Sequence, residues 1–325
     1  MKVLARIALF MLLLGAMQAW AGTLTVTSPN QGDFLGRTNS IAFNIRDGVV
    51  QVTVKATITR DANPSERIVL EQKFTPDVDG KVSGNLALNF NQSTPEGAYT
   101  IRVEATEPGN SYQPVTRNVV VDVKIPEFLE FNPINGGFVK GVVPIRVRLD
   151  EPNIKEWRVQ INSQDIPNNS GTSGNFTVLW DTANVQRDGP QTISIKVDDR
   201  ANNSTTKTIN VTLDRVNPSI NVLLPSGGAP IRPGTNIPVA LEIVDQFTGS
   251  AVETGVTAVL RTMDGQFIGA VARRSSRANG NVLTWTGRIR WQNNLPGRFK
   301  LVVNATDRAG NRAVVQEVTI TISGR

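Results

Sequence analysis

One pattern of alternating residues occurs three times along the chain and constrains its fold more than any other sequence feature. "GAYTIRVEAT" begins at Gly97, "GPQTISIKVDD" at Gly189 and "GRFKLVVNATD" at Gly297. In each, apolar residues fall on every second position: Tyr99, Ile101, Val103 and Ala105; Ile193, Ile195 and Val197; Phe299, Leu301, Val303 and Ala305. Successive side chains of a strand point to opposite faces, so this spacing predicts strands with one buried face. The start of each copy repeats too. Pro29, Pro133 and Pro225 are followed by Gly32, Gly136 and Gly228, then by alternating strands that begin at Ile41, Ile145 and Ile237. Asp122 and Pro126 precede Pro133 at the spacing with which Asp214 and Pro218 precede Pro225.

The repeat predicts modules at 22–125, 126–215 and 216–325, preceded by a segment 1–21 that reads as a signal peptide. Lys2 and Arg6 supply its positive start, "IALFMLLLGAM" its apolar stretch and Ala19-Trp20-Ala21 its cleavage site. That stretch is too short for a membrane span, and no span is expected in the mature chain. Short strands separated by Gly, Pro, Asn and Asp, with no long amphipathic helical pattern, predict antiparallel β-sandwiches. Proline-bearing junctions and unequal copy lengths argue against a single barrel or propeller.

The chain contains no Cys and no His. Each module must therefore hold its core without disulfides. The same absence removes His-based triads and most transition-metal chemistry.

"LWDTANVQRDGPQTISIKVDDRANN", residues 179–203, resembles the W-D-T…D-G…D-x-A-G-N ending of bacterial immunoglobulin-like domains. "DRAGN" in the third copy and "DRVNPSI" at the second junction are similar to it, while the first copy departs from it with "NFNQ". The resemblance implies an all-β chain of three tandem immunoglobulin-like antiparallel β-sandwiches, as found in surface adhesins and accessory modules of secreted enzymes. It carries over no catalytic residue, and such modules serve many functions.

The ends of the copies, "DDRANN" and "TDRAGN", read as hairpin joints in which Asp binds nearby backbone amides. A calcium site built on Asp198, Asp199 or Asp307 is the competing reading. Calcium takes six or more oxygens, which that local sequence does not supply, so no metal and no cofactor is expected. "DVDG" at 77–80 likewise lacks the later ligands of a calcium loop, and "NSGTSGN" at 169–175 lacks the lysine of a phosphate loop. Adjacent acids such as Asp150–Glu151 and Asp198–Asp199 point to opposite faces of a strand and form no acid/base pair by themselves. Trp157, Trp285 and Trp291 alternate with apolar neighbours and read as core, against the sharper reading of a sugar-stacking platform.

Charge separates the modules. Residues 22–125 and 126–215 each carry 10 Lys and Arg against 11 Asp and Glu, whereas 216–325 carry 12 against 6. The excess concentrates in "ARRSSRANGNVLTWTGRIRW", residues 272–291. A two-residue turn at Asn279-Gly280 would set Arg273 opposite Thr286, on one outward face with Arg288 and Arg290, and place Arg274 and Arg277 nearer the tip. Guanidinium forks suit carboxylate, sulfate or phosphate. These five arginines are the candidate ligand-binding residues, set against the plain reading of a solvated sheet face. Nucleic acid is disfavoured because no aromatic residues interleave on the exposed face.

The expectation is an exported, non-catalytic protein of adhesion or assembly, periplasmic or at the cell surface, that binds a protein or an anionic envelope polysaccharide. Two alternatives stand beside it: an accessory or chaperone-like module that augments a partner's β-sheet, and a cryptic secreted hydrolase.

Overall fold

The computed structural model describes residues 21–323 except 227, 229, 233–234, 248, 253–254 and 291–295. The expected signal peptide up to Trp20, and Trp291, lie outside the described residues. Among the described residues the chain is built of strands, with one 3-10 turn at Thr182–Asn184. No helix among them is long and apolar enough to cross a membrane. By contact, the residues up to Ile125 form one unit together with Asp199–Asn203, and Pro126–Asp198 form a second with the chain from Ser204 onward.

In the first unit, Ala21–Ser28, Thr38–Arg46 and Val82–Asn89 pair antiparallel. The other layer runs Asn63–Phe74, Val52–Arg60, Gly97–Glu107 and Val115–Val121. The short strand Phe34–Leu35 adds to its edge in parallel. The alternation read from the sequence is what fills the space between the layers. Ile41, Phe43 and Ile45 meet Val54, Ala56, Ile58, Ile101 and Val103 in one buried cluster. Burying a side chain of that size contributes about 1.5–3 kcal/mol against leaving it exposed.

The second unit holds two more cores. One lies between the three strands Glu127–Asn132, Val142–Asp150 and Asn175–Asp181 and a five-stranded sheet centred on Gly189–Asp199. The other lies between the sheet ordered Ser219–Leu224, Asn236–Val244, Val282–Arg290, Ala272–Asn279 and the sheet ordered Phe267–Ala270, Val256–Thr262, Gly297–Ala305, Gln316–Ile322. Two mostly antiparallel layers per core, with strands crossing between layers, are the immunoglobulin-like sandwich arrangement expected from the sequence.

The repeat markers occupy equivalent places. Pro29, Pro133 and Pro225 each follow a cis peptide bond. Gly32, Gly136 and Gly228 sit at φ 84°, 76° and 115°, where only glycine fits without steric cost.

Trp157 and Trp285 are buried, which closes the sugar-stacking reading for these two, and Trp180 is buried as well. Trp157 stacks on Phe176 with ring centroids 3.8 Å apart. Gly171 lies against the same indole, and a Cβ there would fall 2.6 Å from Cζ2. Trp285→Ala is expected to destabilise the third sandwich by about 3–5 kcal/mol. Val314→Ala, at a side chain 75% exposed, should change stability by less than about 0.5 kcal/mol. Urea unfolding of the two variants checks the contrast.

Candidate functional site

The three long repeated strands lead into a buried acid: Glu107 and Asp199 are the last residues of their strands, and Asp307 stands two residues beyond Gly297–Ala305. A carboxylate leaving water needs donors or a counter-charge, and the first repeat meets that need differently from the other two.

Glu107 is closed by hydrogen bonds. It accepts from the backbone N–H of Val49 at 3.1 Å and Val50 at 3.0 Å, from Asn110 Nδ2 at 2.8 Å and from the Tyr112 hydroxyl at 2.7 Å. Burial by itself raises its pKa. The bonds from Tyr112, Val50, Asn110 and Val49 outweigh burial together and hold the carboxyl below the usual range. Tyr112 is pushed far up, first by its own burial and then by the same carboxylate.

Asp199 and Asp307 each close a turn with an asparagine four residues on. Asn203 donates its backbone N–H to Asp199 Oδ1 at 2.8 Å and its side-chain amide to Oδ2 at 2.7 Å. Asn311 repeats this on Asp307 at 2.8 Å and 2.8 Å. Each asparagine amide has a further acceptor: Asn203 reaches the backbone oxygen of Asp122 at 2.9 Å, and Asn311 that of Asp214 at 2.9 Å. The motif therefore ties the end of one long strand to the residue that leaves the previous repeat. The hairpin-joint reading holds, and the joint reaches further than its own turn.

Around Asp307 two more acids converge. Asp214 follows the strand Ser204–Leu213, and Asp245 follows Asn236–Val244. One carboxylate oxygen from each of Asp214, Asp245 and Asp307 lies within 4.8 Å of the others, and all three residues are buried. Asp214 Oδ2 accepts from the buried Ser250 hydroxyl at 2.6 Å, and Asp245 Oδ1 from the Gln246 N–H at 2.6 Å. Asp245 Oδ2 has no hydrogen-bond partner. Burial pushes the Asp214 and Asp245 carboxyls upward, and the neighbouring acids add to it. No ion pair to Lys or Arg is formed by any of the three among the described residues. This convergence was not visible in the sequence, because 31 and 62 residues separate the partners. The available signal was that all three positions are acidic in register at the preceding junction as well: Asp122, Glu151 and Asp199.

The other acids behave as turn residues. Asp198 pairs with Lys196 at 2.7 Å. Asp77 accepts from the N–H groups of Asp79 and Lys81, which makes "DVDG" a hairpin turn. A cleft bordered by Ile161, Ile166, Pro167, Leu179 and Val185 also carries Asp165 and Asp181 on its wall.

The arginine hairpin forms, with a different register. Asn279 pairs with Val282, so the two-residue turn is Gly280-Asn281 rather than Asn279-Gly280. Gly280 carries the positive φ of 61° that such a turn requires. A bulge between Arg273 and Ser275 then sets Arg273 opposite Gly287 rather than Thr286. Arg273 borders a groove with Trp285, Val256 and Val271 and does not share the outward face of Arg288 and Arg290. Arg274, Arg277 and Arg290 are exposed and Arg288 is half-buried. The expected five-arginine group is thus an exposed set on an edge strand and its neighbour, with Arg273 turned aside.

No protein-family profile matches the chain, and no curated protein matches it significantly. Solved structures do align with it. Fibronectin(III)-like modules of Clostridium thermocellum CbhA match at 12% identity and TM-score 0.41, over 62% of this chain and 95% of theirs. A tetra-tandem repeat from the extending region of a large adhesion protein matches at 16% and 0.30, over 93% and 74%. A bacterial ice-binding adhesin structure matches at 13% and 0.31, over 94% and 98%. The fold assignment rests on the strand order and the three cores described above.

Glu107 yields a signed pH prediction. Its folded pKa lies below the unfolded value of about 4.3, so the unfolded chain binds more protons in that window. The stability it contributes is present above that value and is lost as pH falls through the folded pKa. Glu107→Gln should cost about 1–3 kcal/mol at pH 7 and progressively less toward acid. Urea midpoints of both proteins between pH 3 and 7 give the difference.

Proposed function

We propose that the chain is an exported, non-catalytic protein of tandem immunoglobulin-like sandwiches that acts in adhesion or assembly. Its modules span about 22–125, 126–215 and 216–325. It binds an acidic protein face or an anionic envelope polysaccharide through the arginines of the third module. The observation that carries this reading is the strand Ala272–Asn279, which among the described residues pairs only with Val282–Arg290 and lies at the edge of its sheet. Arg274, Arg277, Arg288 and Arg290 form no ion pair among the described residues, so their guanidinium groups are available to an anion. Exposed charge pairs contribute little singly, and several arginines acting on one polymer chain contribute together.

The edge strand bears on the choice between two modes of docking. Charged residues and a bulge on an edge discourage pairing with a second sheet. This favours capture by side chains over β-augmentation.

The triple variant Arg274→Gln, Arg277→Gln, Arg290→Gln tests the reading, with polygalacturonate and poly-glutamate as probes at low and high salt. Wild type should bind both, with affinity falling as salt rises, and the variant should lose at least about tenfold, near 1.4 kcal/mol. Equal binding and equal salt dependence in the folded variant would place the binding surface elsewhere.

A further inference from the structure

We propose that Asp214, Asp245 and Asp307 bind one calcium ion between the second and third sandwiches. The inference is independent of the arginine surface.

Three carboxylates with relative exposures of 0%, 4% and 5% stand with their oxygens within 4.8 Å of one another. Three like charges out of water oppose folding both by lost hydration and by mutual repulsion. The fold supplies a measure of what a lone buried acid requires. Glu107, which ends the equivalent strand of the first repeat, is met by four donor groups. Asp245 Oδ1 accepts from the Gln246 N–H, while its Oδ2 has no hydrogen-bond partner. That oxygen is buried and unmatched, on a carboxylate already in the cluster.

The donor set selects the ligand class. Every donor is oxygen: three carboxylates, with the fully buried Ser250 hydroxyl against Asp214. Oxygen-only sites favour hard cations over zinc or copper, which take nitrogen and sulfur readily. Between hard cations, magnesium keeps several waters and is held by one or two carboxylates, whereas calcium takes six to eight oxygens from flexible, carboxylate-rich sites. A buried group of three acids suits calcium. The bonds from Asn311 to both oxygens of Asp307, and its bond to the backbone oxygen of Asp214, hold two of the ligands in place. Asn311 is itself anchored from the second repeat by Lys140, whose Nζ donates to Asn311 Oδ1 at 3.0 Å.

The test uses the full chain, stripped with chelator and titrated with calcium or magnesium chloride by calorimetry and thermal unfolding, beside Asp245→Asn. Wild type should bind calcium more tightly than magnesium and gain roughly 5 °C at about a hundredfold excess over Kd. Asp245→Asn should lose one equivalent of calcium and, in chelator, melt no lower than wild type, since it removes one of three repelling charges. Hydrogen exchange of the Asp245–Ser250 segment in wild type needs no variant, and calcium should slow it. Three outcomes overturn the proposal: no binding at millimolar calcium, an unchanged number of calcium equivalents in Asp245→Asn, or exchange of that segment indifferent to calcium. Stabilisation by mild acid with no response to calcium also overturns it, and identifies a shared proton as what neutralises the cluster.

Discussion

The side-chain amide of Asn311 donates to Asp307 Oδ2 at 2.8 Å and to the backbone oxygen of Asp214 at 2.9 Å. Those two bonds, with the Asn311 N–H on Asp307 Oδ1, satisfy a buried carboxylate that would otherwise cost several kcal/mol. They also close the turn between the last two long strands and attach it to the residue that leaves the previous repeat. Asn203 makes the same set of bonds to Asp199 and Asp122 within the first unit. A repeat protein without disulfides needs such a connection, because each sandwich core is otherwise held only by its own buried side chains.

The first repeat shows how far one position can vary. Glu107 ends its strand where Asp199 and Asp307 stand, and Asn110 falls three residues on rather than four. The carboxylate is closed locally by Val49, Val50, Asn110 and Tyr112, and Asn110 Oδ1 accepts from the Gly22 N–H near the start of the described chain. In the third repeat the charge is shared with Asp214 and Asp245, and hydrogen bonds among the described residues do not cover it. The same strand end thus carries a self-sufficient acid in one repeat and a member of a buried acidic cluster in another.

Much of the fold was legible because the core strands obey a simple period. Ile41, Ile145 and Ile237, read as inward-facing, are fully buried, as are Ile101, Ile195 and Leu301. Turn chemistry was legible where a single short segment decides it, as in Asp77–Gly80 and Asp307–Asn311. The hairpin register was misread because Asn279-Gly280 looks like the preferred turn pair. Gly280 serves instead as the first turn residue, and the bulge before Ser275 shifts the strand again. The acidic cluster was out of reach for a different reason. Asp214 and Asp245 are the residues just beyond their strands and Asp307 lies two past its own, and the packing of two repeats brings these three strand ends together.

The central claim is that the Asp307–Asn311 turn couples the third sandwich to the second. Hydrogen exchange of full-length Asn311→Ala against wild type, followed by mass spectrometry, tests it most directly. If the claim holds, protection falls together in peptides covering Asp307–Asn311 and in those covering the end of Ser204–Leu213. If protection falls in the turn alone while the end of the second repeat exchanges as in wild type, the turn is a local hairpin closure and the coupling is refuted.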